Sequence, residues 1–268
     1  LSLKKRIGSM IPYPAIAIGR KVVHFGPNRC EVCGTATRGR IDSGYGFPVL
    51  EELQVVGGLK RRKDLCPVCH SGSRERLIWF YLTRHHTAFR GTGAAMTVAH
   101  FAPEKGLSIE LRSRFGSGYT AYDLAPHRYR HMNDVQPQNL EGLTLADNSV
   151  DLVVANHIME HVYDLPKALS EVRRVLKPGS GLAIMQVPIA LKMGEHRDGG
   201  QNMGPQERID VFGQDDHVRL FTPESYEQSL KSAGFAVEPF NAFADDAALA
   251  TQWELDPFET LLLIRDPA

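Results

Sequence analysis

The sequence predicts an α/β fold, a mostly parallel sheet with helices on both faces, preceded by a small metal-binding domain. Three observations carry this. From residue 96 onward short apolar runs alternate with stretches of helical periodicity, the pattern of repeated strand–helix units. All four cysteines lie in the front third of the chain, as two C-x-x-C pairs. The charge is split: residues 1–90 hold 16 Lys and Arg against 6 Asp and Glu, a net of +10, and the remainder holds 15 against 25, a net of −10. The 268 residues are 43% hydrophobic and 23% charged, which excludes collagen-like, coiled-coil and disordered chains.

No apolar run approaches the roughly 18 to 20 residues needed to cross a bilayer. The stretch Met10–Gly19 is short, is broken by Pro12 and Pro14, and lacks the cleavage pattern of a signal peptide. A cytoplasmic protein without a membrane span is the expectation. The charge asymmetry has two readings of equal weight. Either the halves attract each other, or the basic front half meets an anionic partner such as a nucleic acid, an acidic glycan or a phosphorylated carrier.

The front half is organised by Cys30-Glu-Val-Cys33 and Cys66-Pro-Val-Cys69. Each C-x-x-C turn converges two thiolates on one ion, so two turns supply four soft ligands in a tetrahedron, a set that suits structural zinc. Gly34 and Pro67 fit the tight turns, and the 32-residue spacer has room for a hairpin such as Arg38–Tyr45. Two disulfides are the alternative, disfavoured in a cytosolic chain. His70, beside Cys69, is a spare ligand. Leu77, Ile78, Tyr81 and Leu82 then predict a helix over Arg74–Phe89, and Gly91-Thr-Gly93 marks a boundary near residue 90. The division is a basic zinc-binding module and linker helix over 1–90 and a second domain over 91–268.

In the second domain Met96–Phe101 reads as a strand, Gly106–Phe115 as a helix, and Tyr119–Tyr122 as a strand ending at Asp123. Val150–Ala155 is a buried strand. Asp164 caps the next helix, Pro166 sits in its first turn, and Leu165, Ala168, Leu169, Val172, Val175 and Leu176 form its core face before Lys177-Pro-Gly stops it. Leu182–Val187 is a strand, Thr222-Pro-Glu opens a helix to Ala233, and Phe235–Phe240 and Glu259–Arg265 are strands. Ligands of such a sheet bind at the carboxyl ends of its strands.

The stretch Leu143–Gly179, LTLADNSVDLVVANHIMEHVYDLPKALSEVRRVLKPG, resembles the core of class I S-adenosylmethionine-dependent methyltransferases of the type 11 group. The resemblance implies a Rossmann-like doubly wound sheet and S-adenosylmethionine as methyl donor. It further implies that Asp123 grips both ribose hydroxyls, with Leu124 beside it; two acceptor oxygens match two adjacent hydroxyls. Asn139 stands where the family has an Asp for the adenine amino group, and the Leu140 N–H faces the ring. The family's glycine loop is changed here to His100-Phe101-Ala102-Pro103-Glu104-Lys105-Gly106. His100 replaces the family's acid, Ala102 and Glu104 replace glycines, and Gly106 remains. Glu104 is a candidate partner for the cofactor's amino group, and Asn156 and His157 follow the fourth strand beside it. A bacterial subgroup with an H-x-A-P-E loop and upstream C-x-x-C pairs resembles this chain over nearly its whole length. That implies an acceptor oxygen or nitrogen on a sugar or surface-polysaccharide precursor.

Between Val187 and Thr222 lies a long polar insert, in the place where the resembling fold commonly builds its acceptor pocket. His217 is the candidate base, Asp216 its orienting partner or alternative, and Arg219 a holder of an anionic acceptor. His157, Glu160 and His161 share one face if helical, a spacing that suits a divalent metal. A loop-packing role is the favoured reading of that trio. The rival functions are an RNA methyltransferase gripping phosphates with its basic module, and a non-catalytic binding protein.

Overall fold

The computed structural model describes residues 22, 25–91, 95–129 and 132–267. The stretch Met10–Gly19 and most of the expected boundary, Thr92 and Gly93, lie outside the described residues. Among the described residues no helix is long and apolar enough to cross a membrane.

The front part is built around the cysteine turns. Asn28–Arg29 pairs antiparallel with Ala36–Thr37 across the first C-x-x-C. Ile41–Ser43 pairs with Arg61–Leu65, leading into the second. The expected hairpin within Arg38–Tyr45 does not form. Its strand finds a partner about 20 residues on, and the intervening chain folds into helix α1, Pro48–Glu52, with Pro48 in its first turn. Gly44 permits the turn at positive φ, where a Cβ would sit 2.0 Å from the Leu59 carbonyl.

Helix α2, Ser73–Arg84, is shorter than the expected Arg74–Phe89. It stops at His85, and His86 accepts from the Phe89 N–H to cap a separate turn, Thr87–Arg90. The central sheet follows with strands β1 (Val98–Phe101), β2 (Tyr119–Asp123), β3 (Gln136–Pro137), β4 (Leu152–Val154), β5 (Leu182–Ile184), β6 (Ala236–Phe240) and β7 (Leu261–Arg265). Their spatial order is β3-β2-β1-β4-β5-β7-β6, parallel except for β7, which runs antiparallel to both neighbours. The order reverses between β1 and β4, and the crevice outside their carboxyl ends is where such sheets take ligands.

Helix α3 (Lys105–Phe115) follows β1, and α4 (Leu165–Val175) precedes β5 with Asp164 accepting from the Lys167 N–H as its cap. The insert holds α5 (Pro205–Phe212), while α6 (Pro223–Ser232) carries the Thr222 cap and α7 (Ala242–Gln252) joins β6 to β7. One sheet face packs Val98, Leu152, Val154 and Leu182 against α2, α3 and α7. The other packs Ala99, Val153, Ala183 and Ile264 against α4 and α6. This alternation is the period of two expected of a sheet covered on both sides. Asp151 accepts from the Thr97 N–H and from Lys177 Nζ, tying the resembling stretch to the start of β1.

The front part shares this core. Cys30, Val32, Cys66 and Val68 belong to the same apolar cluster as Leu107 and Leu152. Val55–Val56 pairs antiparallel with Ile189–Ala190 of the insert. Arg40 pairs with Glu254, Arg61 with Asp256, Arg74 with Glu104 and Arg84 with Asp246. These pairs between the two halves favour the first reading of the charge split, in which the halves attract each other.

Candidate active site and metal centre

The four cysteines are free thiols whose sulfurs lie within 4.8 Å of one another, with Cys30 Sγ 3.7 Å from Cys69 Sγ. The two turns repeat each other. The Gly34 N–H donates to the Cys30 carbonyl and the His70 N–H to the Cys66 carbonyl, both at 2.9 Å, and both residues sit at left-handed φ, 63° and 64°. His70 therefore occupies the turn position that Gly34 fills in the first pair, and is not part of the cluster. Zinc–sulfur bonds of about 2.3 Å in a tetrahedron separate the sulfurs by about 3.8 Å, so the Cys30–Cys69 separation already matches and the cluster is consistent with a zinc ion. Disulfides are absent from it.

Behind β1 the altered glycine loop keeps its backbone course. Ala102 adopts φ 45°, a glycine-like conformation, while its N–H donates to the Tyr122 carbonyl at 2.9 Å. Glu104 is not a free anion waiting for a ligand. Its Oε2 lies 2.6 Å from His100 Nε2, its Oε1 accepts from Asn156 Nδ2 at 3.0 Å, and Arg74 stands at 3.6 Å. Burial raises the carboxyl's pKa, but the bond and charge of His100, with Arg74 and Asn156, outweigh it and keep the group ionised. His100, fully buried, bridges Tyr119 to Glu104. Glu104, the expected partner of a cofactor amino group, thus belongs to a network tying β1, β4 and α2 together.

Gly106 also has a different reason. A Cβ there would meet Ser71 Oγ at 2.0 Å and Cys69 Sγ at 3.3 Å, so the missing side chain admits the second cysteine turn. At the tip of β2, Asp123 is half-buried. Its Oδ1 accepts from the Ala125 N–H and its Oδ2 from the Tyr129 hydroxyl, both at 2.6 Å. Each carboxylate oxygen retains a second lone pair. Asn139, past the end of β3, is exposed and accepts from the Glu141 N–H. Leu124 is exposed, whereas the Phe101 and Leu140 side chains are buried in the core. Ala102, Glu104, Asp123, Asn139 and Asn156 all lie at carboxyl ends of the strands, the positions the resemblance assigns to the cofactor.

The insert returns to this region through the Val218 N–H, which donates to the Glu160 carbonyl at 2.9 Å. The pairing brings His217 against the segment after β4. That segment is a run of turns, not the helix whose face His157, Glu160 and His161 were expected to share, and His157 takes φ 53°. Glu160 is fully buried, with Oε1 3.5 Å from His157 Nδ1, 3.9 Å from His161 Nε2 and 3.9 Å from His217 Nε2. Neither Glu160 oxygen, neither His217 nitrogen, nor His157 Nε2 makes a hydrogen bond. Burial pushes the Glu160 carboxyl up to about 7 against the pull of His161. Burial and the His161 charge push His217 down to about 3, against the nearby Phe212 carbonyl. His157 is held well below the usual histidine range by burial and by Arg74, His217 and His161.

The surroundings of three candidate residues of the insert differ from those expected. Asp216 is exposed and touches His161, not His217: its carbonyl lies 3.1 Å from His161 Nδ1. A buried imidazole with so low a pKa is also a weak base, which argues against the general-base role for His217. Arg219, 2% exposed, donates to the carbonyls of Met159, Val162 and Tyr163 and to Asp198. Its guanidinium holds the segment after β4 in shape and has little left for an acceptor.

A crevice of about 500 Å³ opens over these groups, between the cysteine part and the strand ends. Tyr45, Arg61 and Arg74 line it from one side, and Glu104, His157, Glu160, His161, His217 and Glu259 from the other. Burial raises Glu259 to about 7, opposed by Arg74. A roomier hollow of about 750 Å³ beside Cys30 and Arg40 takes in no strand of the central sheet. Tyr45, Arg74 and Glu259 carry no sequence signal for this role, because only the fold brings them together. Gly57 is a partial exception: it approaches so closely that a Cβ would lie 3.1 Å from the His157 ring.

A seven-stranded sheet of this order, with an acid at the tip of β2 and a polar crevice beyond β1 and β4, defines a class I methyltransferase fold. A family model described as "Methyltransferase domain" matches residues 91–239. A probable S-adenosylmethionine-dependent methyltransferase of Mycolicibacterium smegmatis is 32% identical over 194 residues, 69% of this chain and 68% of the relative. The uncharacterized protein YafE of Escherichia coli is 34% identical over 82 residues, 26% of this chain and 40% of its own. An S-adenosylmethionine-dependent methyltransferase from Archaeoglobus fulgidus, of known structure, shares 17% identity at a TM-score of 0.45, covering 72% of this chain and 94% of that one. That structural likeness is too loose to bear on the site. The chain belongs to the methyltransferase-domain family, as an S-adenosylmethionine-dependent enzyme.

Proposed function

We propose that the enzyme methylates an oxygen or nitrogen of a polar small molecule or saccharide bound in the crevice beyond β1 and β4. The carrying observation is the lining of that crevice: ionisable and hydrogen-bonding groups almost throughout, gathered at the strand ends where this fold takes its ligands. Such a lining matches hydroxyls and amines. Its guanidinium groups, Arg61 and Arg74, are already paired with Asp256, Glu75 and Glu104, which leaves them little charge for phosphates and argues against the RNA alternative.

Bound S-adenosylmethionine supplies an activated sulfonium methyl. The residues suited to hold it are Asp123 for the ribose hydroxyls, Asn139 with the Leu140 N–H for the base, and the Ala102 turn with Asn156 for the methionine end. Tyr129 would share Asp123 with the ribose. Glu104 and His100 act from beneath, fixing the loop. His157, Glu160 and His161 face the acceptor, and alignment of its nucleophile with the methyl carries much of the rate. The front part, with zinc on Cys30, Cys33, Cys66 and Cys69 as a structural ion, forms the opposite wall.

Transfer of labelled methyl groups to a panel of saccharides, polyols and amines tests the reading. Label is expected on a hydroxyl or amine acceptor. Glu160→Ala should abolish transfer while cofactor affinity changes less than about threefold. Labelling of RNA, with no small acceptor labelled, would replace this reading by the nucleic-acid one.

A further inference from the structure

The cluster that closes the crevice has too many buried polar atoms and too few partners. Glu160 is fully buried with both oxygens unbonded, and His217, 1% exposed, has only the Phe212 carbonyl beside its ring and no well-formed hydrogen bond. Buried polar groups are nearly always partnered, so each such orphan asks for an explanation. Here two of them, Glu160 Oε1 and His217 Nε2, face each other at 3.9 Å. One donor atom each from Glu160, His161 and His217 lies within 4.8 Å of the others, and Glu160 Oε1 is 3.9 Å from both imidazole Nε2 atoms.

We propose that Glu160, His161 and His217 form a second metal site, for a divalent first-row transition ion, facing the acceptor crevice. One carboxylate and two neutral imidazoles are a mixed oxygen and nitrogen set that favours zinc, iron, cobalt or manganese over calcium. Bonds of about 2.1 Å in a tetrahedron separate donors by about 3.4 Å, so closure by about half an ångström brings Glu160 Oε1 to ligand spacing from both imidazoles. The ring of His161 is already aimed. Its Nδ1 lies 3.1 Å from the Asp216 carbonyl, and donation there leaves the Nε2 lone pair toward Glu160. That outer contact is the usual way a metal-binding imidazole is oriented. It also gives Asp216 a positioning role. His157, with Nδ1 3.5 Å from Glu160 Oε1, stands beside the set without belonging to it.

The sequence alone could not assemble this group, because His217 comes from the insert, more than 50 residues beyond Glu160. A three-ligand ion leaves positions open toward the crevice, where an acceptor oxygen would bind and lose its proton more readily. That role rests on the proposed function; the existence of the site does not.

The test is titration of the full chain, its four-cysteine site first saturated with zinc, with Co²⁺. Absorption and calorimetry follow the metal, and S-adenosylmethionine binding is measured in parallel. One further equivalent is expected, with ligand-field bands and no sulfur-to-metal charge-transfer band. Glu160→Gln should weaken it at least tenfold, and so should His161→Ala, a half-buried position where truncation is tolerated. S-adenosylmethionine affinity should stay within about threefold in both. No further equivalent in the wild-type chain would overturn the site. So would thiolate charge transfer from the added equivalent, or undiminished binding in both variants. Metal binding without methyl transfer would leave the site standing and count against the proposed acceptor chemistry instead.

Discussion

Gly106→Ala separates two explanations of one glycine. If Gly106 serves close approach of a cofactor, the change should weaken ligand binding and leave the fold intact. The geometry instead sets the added methyl against Ser71 Oγ at 2.0 Å, far inside contact, with Cys69 Sγ at 3.3 Å. Ser71 lies 3.2 Å from Cys69 Sγ and cannot retreat without losing that contact. Overpacking of this kind costs about 1 to 3 kcal/mol. The gain from replacing a helical glycine offsets up to about 1 kcal/mol. The net, about 1 to 2 kcal/mol, lowers the melting temperature by about 2 to 8 °C, and disturbed support of Cys69 should speed zinc release to a chelator about 10- to 100-fold. Ser71→Ala removes the clashing oxygen and leaves its Cβ at 3.4 Å. The double variant should therefore melt above Gly106→Ala alone. Thermal unfolding and chelator kinetics on the four proteins read this out. A Gly106→Ala protein that melts and holds zinc like the parent would refute the reasoning, as would a double variant no better than the single.

Arg219→Ala strips the buried Met159 and Val162 carbonyls, the Tyr163 carbonyl and Asp198 of their donor, so it should destabilise by about 1 to 3 kcal/mol for each buried acceptor left unpaired; loss of acceptor affinity at unchanged melting temperature would contradict this. Glu171 accepts from Arg174 and from the Leu143 N–H, and bonding to Arg174, against burial, holds its carboxyl down at about 2. Because the folded pKa lies below the unfolded one of about 4.3, the stabilisation is full above that value and is lost as pH falls through about 2. The full linkage is about 3 kcal/mol, trimmed to about 1 to 2 kcal/mol by solvent at Arg174, which is 30% exposed. Glu171→Gln should accordingly show a shallower fall of melting temperature between pH 5 and about 2; parallel acid profiles would count against it.

The elements of the sheet were legible because each carries a local signal. Strands β1, β4 and β5 are runs of apolar residues, Asp164 and Thr222 cap, and Lys177-Pro-Gly stops. Helix α7 was not, since its alanine-rich stretch lacks a sharp apolar stripe and its backbone kinks at Asp246. The cysteine cluster could be read from spacing alone, because two turns set its geometry. The cluster around Glu160 could not. Its members converge through backbone pairing of Val218 with Glu160, a tertiary fact without any mark in the spacing. The same holds for Gly106 and Glu104, whose partners Ser71 and Arg74 come from the front part. Arg219 shows the opposite hazard: a basic residue in a polar insert suggests a ligand, and burial among carbonyls turns it into a brace.

The most direct measurement is calorimetric titration of S-adenosylmethionine into the parent chain and into Asp123→Ala. The parent should bind with a micromolar dissociation constant, and loss of a carboxylate shared by two ribose hydroxyls should weaken it at least tenfold, about 1.4 kcal/mol or more. No binding at millimolar ligand, or equal affinity in the two proteins, would contradict the assignment of Asp123, at the tip of β2, to the cofactor.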